Sequence, residues 1–222
     1  MKTVISLCDL TGNMVTPWVE AGYNVVLVDP QHGTTRTQTM PNGATITRFA
    51  GTVEDAMPLI AALITAGVVA AVFGFPPCTD MAVSGARWFE AKRAADRMFQ
   101  AKAVMVAEQC RTIGRLSGAP YMVEKPVSVL ASAFGKPQHT FHPADFTAYE
   151  PGDNYTKKTC LWTGGGFVMP TPAKDSLLGA PDNRIHFASP GPERANFRSA
   201  TPMGFARAVF DANHHPALEV AA

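Results

Sequence analysis

Four apolar runs, each ending abruptly in a turn that carries a polar residue, constrain this chain more than any other feature. VISL at 4–7 enters DLTGN, and YNVVLVD at 23–29 ends on an acid before Pro30. VVAAVFGF at 68–75 runs into Pro76, Pro77 and Cys78, and PYMVEKP at 120–126 stops at a proline. Short apolar runs bounded by glycine and proline read as strands buried on both faces, as in a parallel sheet. Helical stretches fall between them: Met14 to Ala21, Val53 to Ala66, and Glu90 to Leu116, the last with Ala94, Met98, Ala101 and Met105 at helical spacing. Strand, glycine turn, helix, strand and acid form the opening unit of a doubly wound fold. The pattern therefore predicts an α/β chain with a doubly wound, mostly parallel sheet.

The remaining stretches are weaker. ATITRFA at 44–50 alternates enough for a third strand, and residues 30–43, rich in Gln, Gly and Thr, read as a loop. KKTCLWTGGG at 157–166 is another short strand, residues 163–196 are loop-like, and Gly204 to Asn213 is a last short helix. With 222 residues, 46% hydrophobic and 17% charged, the chain suits one globular domain over 1–222, and neither repeat nor domain boundary is visible. The net charge of +1 neither supports nor excludes a nucleic-acid partner. MKTVISLCDL lacks the long apolar stretch and cleavage site of a signal peptide and reads as a buried strand. No apolar run is long enough to span a bilayer, so no membrane partner is expected. The four cysteines, Cys8, Cys78, Cys110 and Cys160, show no metal-ligand spacing, so no metal is expected and a reducing, cytoplasmic compartment is inferred.

Three turns bear chemistry. In DLTGN, Gly12 lets backbone approach a ligand, and Asp29 at the next strand end offers acceptors to ribose hydroxyls; a purely structural turn fits equally. In FGFPPCTD, a strand delivers a proline-stiffened cysteine to the carboxyl edge, where doubly wound folds bind ligands. Cys78 there is either a nucleophile, which must react as thiolate, or a small residue filling a turn. In VEKP, Glu124 faces the same crevice if its strand neighbours that of Cys78; otherwise it is a solvated or helix-capping acid.

In order, these pieces resemble the cytosine-5 DNA methyltransferase family, especially the short members carried by bacterial viruses. DLTGN resembles the first cofactor motif and VVLVDP the ribose-binding strand end. FPPC resembles the catalytic Pro-Cys motif and VEKP the Glu-Asn motif. PADFTAYEPGDNYTKKTCLWTGG resembles the segment with a Gln-x-Arg-x-Arg pattern, and RSATPMGFARAVFDAN the terminal motif that returns to the cofactor. The resemblance covers nearly the whole chain. It implies a Rossmann-like fold of S-adenosylmethionine-dependent methyltransferases and a cytoplasmic setting in a bacterial host cell. Lys125 stands where the family has asparagine, Lys157 and Lys158 where it has arginines, and Ser199 or a neighbour where it has an asparagine near the donor. A lysine is a point charge rather than a planar fork. Residues 163–196 leave room only for a loop in place of a target-recognition domain, which implies low sequence specificity.

The resemblance implies S-adenosyl-L-methionine as cofactor, held by Asp9, Leu10, Thr11, Gly12, Asp29, Pro30, Phe75 and Pro76. Cys78, Glu124, Lys157 and Lys158 are the expected catalytic set. Pro77, Ser84, Arg87, Lys125, Arg194 and Arg198 are expected to meet substrate, with Trp88 either beside them or in the core. Arg184 and His186 join Arg194 and Arg198 in a basic cluster suited to phosphates. Lys125 is expected either to attract an anionic group, a phosphate or a donor carboxylate, or to point into solvent. The expected partner is DNA, with the cytosine single-stranded or flipped out, or a cytosine nucleotide. The alternatives are an RNA substrate, an altered (carboxylated) donor, or a catalytically silent nucleic-acid-binding protein.

Overall fold

The computed structural model describes residues 1–185, 187 and 194–214, with backbone alone at 195; His186 lies outside the described residues. The chain is an α/β protein whose mixed, mostly parallel eight-stranded sheet is flanked by helices. Its strands are β1 (Thr3–Leu7), β2 (Asn24–Val28), β3 (Arg36–Thr39), β4 (Thr45–Phe49), β5 (Val69–Gly74), β6 (Tyr121–Pro126), β7 (His139–Phe141) and β8 (Thr159–Gly164). They lie in the order β3-β4-β2-β1-β5-β6-β8-β7. β4, β2, β1, β5 and β6 run parallel; β3 and β8 are antiparallel to their inner neighbours, and β7 is antiparallel to β8. The helices are α1 (Thr16–Glu20), α2 (Met57–Thr65), α3 (Phe89–Ala95), α4 (Phe99–Ser117), α5 (Leu130–Phe134), α6 (Arg194–Ser199) and α7 (Met203–Asn213).

The central strands are apolar along their length because both faces are covered. Side chains alternate between faces with the period of two. Val4, Leu27, Phe73 and Met122 pack on one side with Trp18 of α1 and Phe205 and Val209 of α7. Ile5, Val26, Val72 and Val123 pack on the other with Ile60 of α2 and Ala107, Cys110 and Ile113 of α4. α4 comes so close to β5 that a Cβ on Gly74 would stand 2.6 Å from the Cβ of Cys110. No described helix is long and apolar enough to cross a membrane.

Several expectations are corrected. The stretch 30–43 contains β3, four exposed residues paired to β4. The single helix expected over 90–116 is two, because the Asp96 carboxylate accepts the Met98 N–H (2.8 Å) and starts a new helix there. Ala94, Met98, Ala101 and Met105, the residues at helical spacing, all face solvent on both sides of that break. Within 163–196 the loop reading holds for residues 165–185, but α6 begins at Arg194.

Candidate active site

The sheet's own topology marks where a ligand fits. From β1 the chain moves outward to β2 and β4 on one side and to β5 and β6 on the other. Loops leaving adjacent strands in opposite directions open a crevice at their carboxyl ends. Leu7 is level with Val28 and with Gly74, and Gly74 with Val123. Cys8, Asp29, Phe75 and Glu124 therefore emerge side by side.

The turn after β1 is built around Asp9. Its Oδ2 accepts the Ser6 hydroxyl (2.7 Å), while Oδ1 accepts the Thr11 N–H (3.1 Å), the Thr11 hydroxyl (3.2 Å) and the Gly12 N–H (2.8 Å). Asp9 thus shapes the turn and has little left for a ligand. Gly12 takes φ 74°, a left-handed conformation that glycine adopts without strain. Leu10 is half-buried, and Thr11 and Pro30 are exposed. Asn13 donates through Nδ2 to the Thr201 carbonyl (3.0 Å), which brings the segment before α7 to this turn. Asp29 is buried; its Oδ1 accepts the Gln31 N–H (2.8 Å), and Oδ2 makes no hydrogen bond among the described residues.

His32 was invisible in the sequence, lying in a stretch read as loop. It belongs to a single helical turn, Pro30–His32, and its ring feels the charges of Asp29, Arg48 and Asp9. Burial lowers its pKa, against the opposing pull of Asp29. Its buried Nε2 has no partner among the described residues, so a polar ring atom sits beside Asp29 without a hydrogen bond.

The segment after β5 is fixed at several points. The Phe75 N–H donates to the Leu7 carbonyl (2.9 Å), Pro76 is buried and Pro77 exposed. The Cys78 carbonyl accepts the N–H groups of Met81 (3.1 Å) and Ala82 (2.9 Å), and fully buried Met81 anchors the turn. Lys92 of α3 braces it through the Thr79 carbonyl (3.1 Å) and the Asp80 carboxylate (2.5 Å). The loop is also stitched to the chain leaving β6: Val83 N–H to Val127 O and Val129 N–H to Met81 O, both 3.0 Å. Cys78 is half-buried and Glu124 lies on the adjacent strand, with its buried Oε1 lacking any partner among the described residues. The sequence-predicted neighbourhood of these two residues is present at the level of strand pairing.

Ser84 and Arg87 are exposed on the helical turn Val83–Trp88 that follows. Trp88 is not core: it is 57% exposed, with the Arg87 guanidinium 5.0 Å from its ring centroid. Lys157 donates to the Ala200 carbonyl (3.4 Å), while Lys158 is exposed. Arg194 and Arg198 lie on α6, and the buried Arg194 Nε has no partner among the described residues. Arg184 is taken up by Asp182, to which its Nε donates at 2.8 Å, and lies 5.6 Å from the Tyr155 ring. Lys125 does not point into solvent; it is 3% exposed, on the face of β6 opposite Glu124.

The sequence also missed Asp153, which accepts the Gly204 N–H (2.7 Å) at the start of α7. Burial pushes its carboxyl above the ordinary carboxylate value. Beside it is a cavity of about 250 Å³ lined in part by Asn13, Tyr155, Arg184 and Thr201. Among the described residues, no group of three His, Cys, Asp or Glu side chains is placed to hold a metal ion. No protein-family model matches the sequence, and no curated protein matches it significantly.

Proposed function

We propose that this protein transfers a methyl group from S-adenosylmethionine to carbon 5 of cytosine in DNA, with Cys78 as nucleophile and little sequence specificity. The observation that carries this reading is the pairing of β5 with β6. It brings the cysteine turn and Glu124 to one edge, with a carboxylate oxygen buried and unpartnered. A buried carboxylate oxygen without a donor is costly, and a ligand N–H relieves that cost. The sheet is read as the Rossmann-like methyltransferase fold because the glycine turn and the cysteine turn flank the point where the strand order reverses.

The residues around β1 and β2 fit the cofactor: a left-handed glycine turn, a free Asp29 oxygen and the orphaned His32 Nε2. When bound, S-adenosylmethionine supplies an electrophilic methyl group. Cytosine carbon 5 is a weak nucleophile, and the protein's task is to make it a strong one. The Cys78 sulfur forms a bond to carbon 6, and the displaced π electrons move to carbon 5. Glu124 holds the N3/N4 edge and stabilises the electron-rich ring. After transfer, carbon 5 loses its proton and the thiolate leaves. The base must be unpaired or flipped out to reach Cys78. Exposed Trp88, with Arg87 above it, offers an aromatic face and a cation of the kind single strands stack against.

Incubation with isotopically labelled S-adenosylmethionine and single-stranded DNA, followed by nucleoside mass spectrometry, tests this. Labelled 5-methyldeoxycytidine is expected. Label on an exocyclic nitrogen, or none on any DNA, RNA or cytosine nucleotide, refutes it.

A further inference from the structure

Asp153 is a buried carboxylate without a counter-ion. It is 9% exposed, and among the described residues no salt bridge reaches it. The guanidinium that shares its cavity, that of Arg184, is already matched by Asp182 at 2.5 Å. Asp153 Oδ2 accepts the Gly204 N–H (2.7 Å) at the start of α7. Capping that N–H takes one neutral oxygen, as an asparagine side chain would supply, and does not require a buried charge. The Gly204 N–H favours the carboxylate, yet burial outweighs it and keeps the carboxyl above its ordinary value.

The other oxygen, Oδ1, accepts no hydrogen bond among the described residues. Asp153 lines the cavity of about 250 Å³ together with Asn13, Tyr155, Arg184 and Thr201, and Oδ1 is the oxygen left to serve it. The turn after β1 sets where this cavity lies. Asn13 directly follows Gly12, and its Nδ2 donates to the Thr201 carbonyl (3.0 Å), so the cavity begins where the glycine turn ends. Pockets that hold a whole drug-sized molecule start at about 300 Å³, so this one has room for one end of such a molecule. A buried carboxylate without a partner selects a cation that brings its own N–H donors. The methyl donor proposed above carries such a group, the ammonium of its amino-acid end.

We infer that Asp153 is a binding residue for the amino-acid end of the methyl donor: its carboxylate accepts an N–H of the α-ammonium group of S-adenosylmethionine in the cavity beside Asn13. The ligand supplies the counter-charge that the fold does not. The contact is non-covalent, and Asp153 takes no part in the transfer itself. This inference rests on the reading of the turn after β1 as the donor site. It adds to that site a residue from the segment before β8, which the glycine turn and Asp29 do not include.

The test is calorimetric and needs neither nucleic acid nor turnover. S-adenosylhomocysteine, the demethylated donor, is compared with the analogue in which its amine is replaced by hydrogen. Both are titrated into the wild type and into Asp153→Asn, which keeps an oxygen for the Gly204 N–H. A hydrogen bond to a charged group corresponds to about ten- to hundredfold in affinity. The wild type should therefore bind S-adenosylhomocysteine at least about tenfold more tightly than the deaminated analogue. Asp153→Asn should bring that preference below about threefold, with the affinity for the deaminated analogue held within about twofold. Equal wild-type affinities for the two ligands overturn the inference, whether or not the variant folds. A preference of the same size in both proteins also overturns it and leaves the donor site standing without Asp153. Binding of neither ligand by the wild type removes the donor reading itself, and this inference with it.

Discussion

Replacing Asp9 by alanine tests how the turn after β1 is held. The carboxylate accepts four hydrogen bonds, at 2.7, 3.1, 3.2 and 2.8 Å, from Ser6, Thr11 twice and Gly12. Thr11 is exposed, so water replaces the lost partner for its two donors. Gly12 N–H and the Ser6 hydroxyl are buried, and each orphaned donor costs about 1–2 kcal/mol, for a total of about 2–4 kcal/mol. In a domain of 222 residues, a loss of that size lowers the melting temperature by about 10 °C. Asp9→Asn keeps one accepting oxygen and should lose about half as much. Urea unfolding followed by tryptophan fluorescence gives both values. A loss below about 0.5 kcal/mol for Asp9→Ala would show that the carboxylate does not hold the turn.

Asp29→Ala should weaken S-adenosylmethionine binding by about 1–3 kcal/mol, measured by calorimetry, because a charged acceptor of ligand hydroxyls is removed; unchanged affinity contradicts its place beside the cofactor. Asp153 is held above the ordinary carboxylate value by burial, so its neutral form is the better tolerated one and the stability it confers is lost as pH rises through its folded pKa. Asp153→Asn, which can still accept the Gly204 N–H, should therefore raise the melting temperature at neutral pH. The gain should vanish below the ordinary carboxylate value; a drop at neutral pH contradicts this. With no helix or strand in residues 165–185, bisulfite sequencing should find modification at many cytosine contexts. Binding to DNA should weaken steeply with salt. One long, strict recognition sequence would contradict the low specificity.

Much of this was legible in the sequence for a physical reason. Strands covered on both faces are written as continuous apolar runs, so β1, β2, β5 and β6 and their turn residues could be read directly. The edge strands could not. Arg36–Thr39 is exposed and polar, and only its pairing with β4 makes it a strand. The break between α3 and α4 carried a readable signal in Asp96, a side chain that accepts from the backbone two residues on. The burial of Lys125 and the place of His32 carried none. A lysine at a strand end reads as solvated, and only the tertiary fold, which covers that face of the sheet with α4, buries it. His32 becomes part of the crevice because the helical turn Pro30–His32, started at Asp29, keeps its ring beside that carboxylate.

The central claim is that the Cys78 sulfur bonds to carbon 6 of cytosine, and one measurement tests it most directly. DNA containing 5-fluorocytosine is incubated with the protein and S-adenosylmethionine, denatured, and analysed by peptide mass spectrometry. Fluorine at carbon 5 leaves no proton to abstract after methyl transfer, so the thiolate cannot depart. A covalent adduct on the peptide containing Cys78 is predicted for the wild type, with none in Cys78→Ser, whose hydroxyl is a far weaker nucleophile without a dedicated base. Substitution of Cys160 should leave the adduct intact. A wild-type preparation that methylates ordinary cytosine yet forms no adduct at Cys78 would contradict the account.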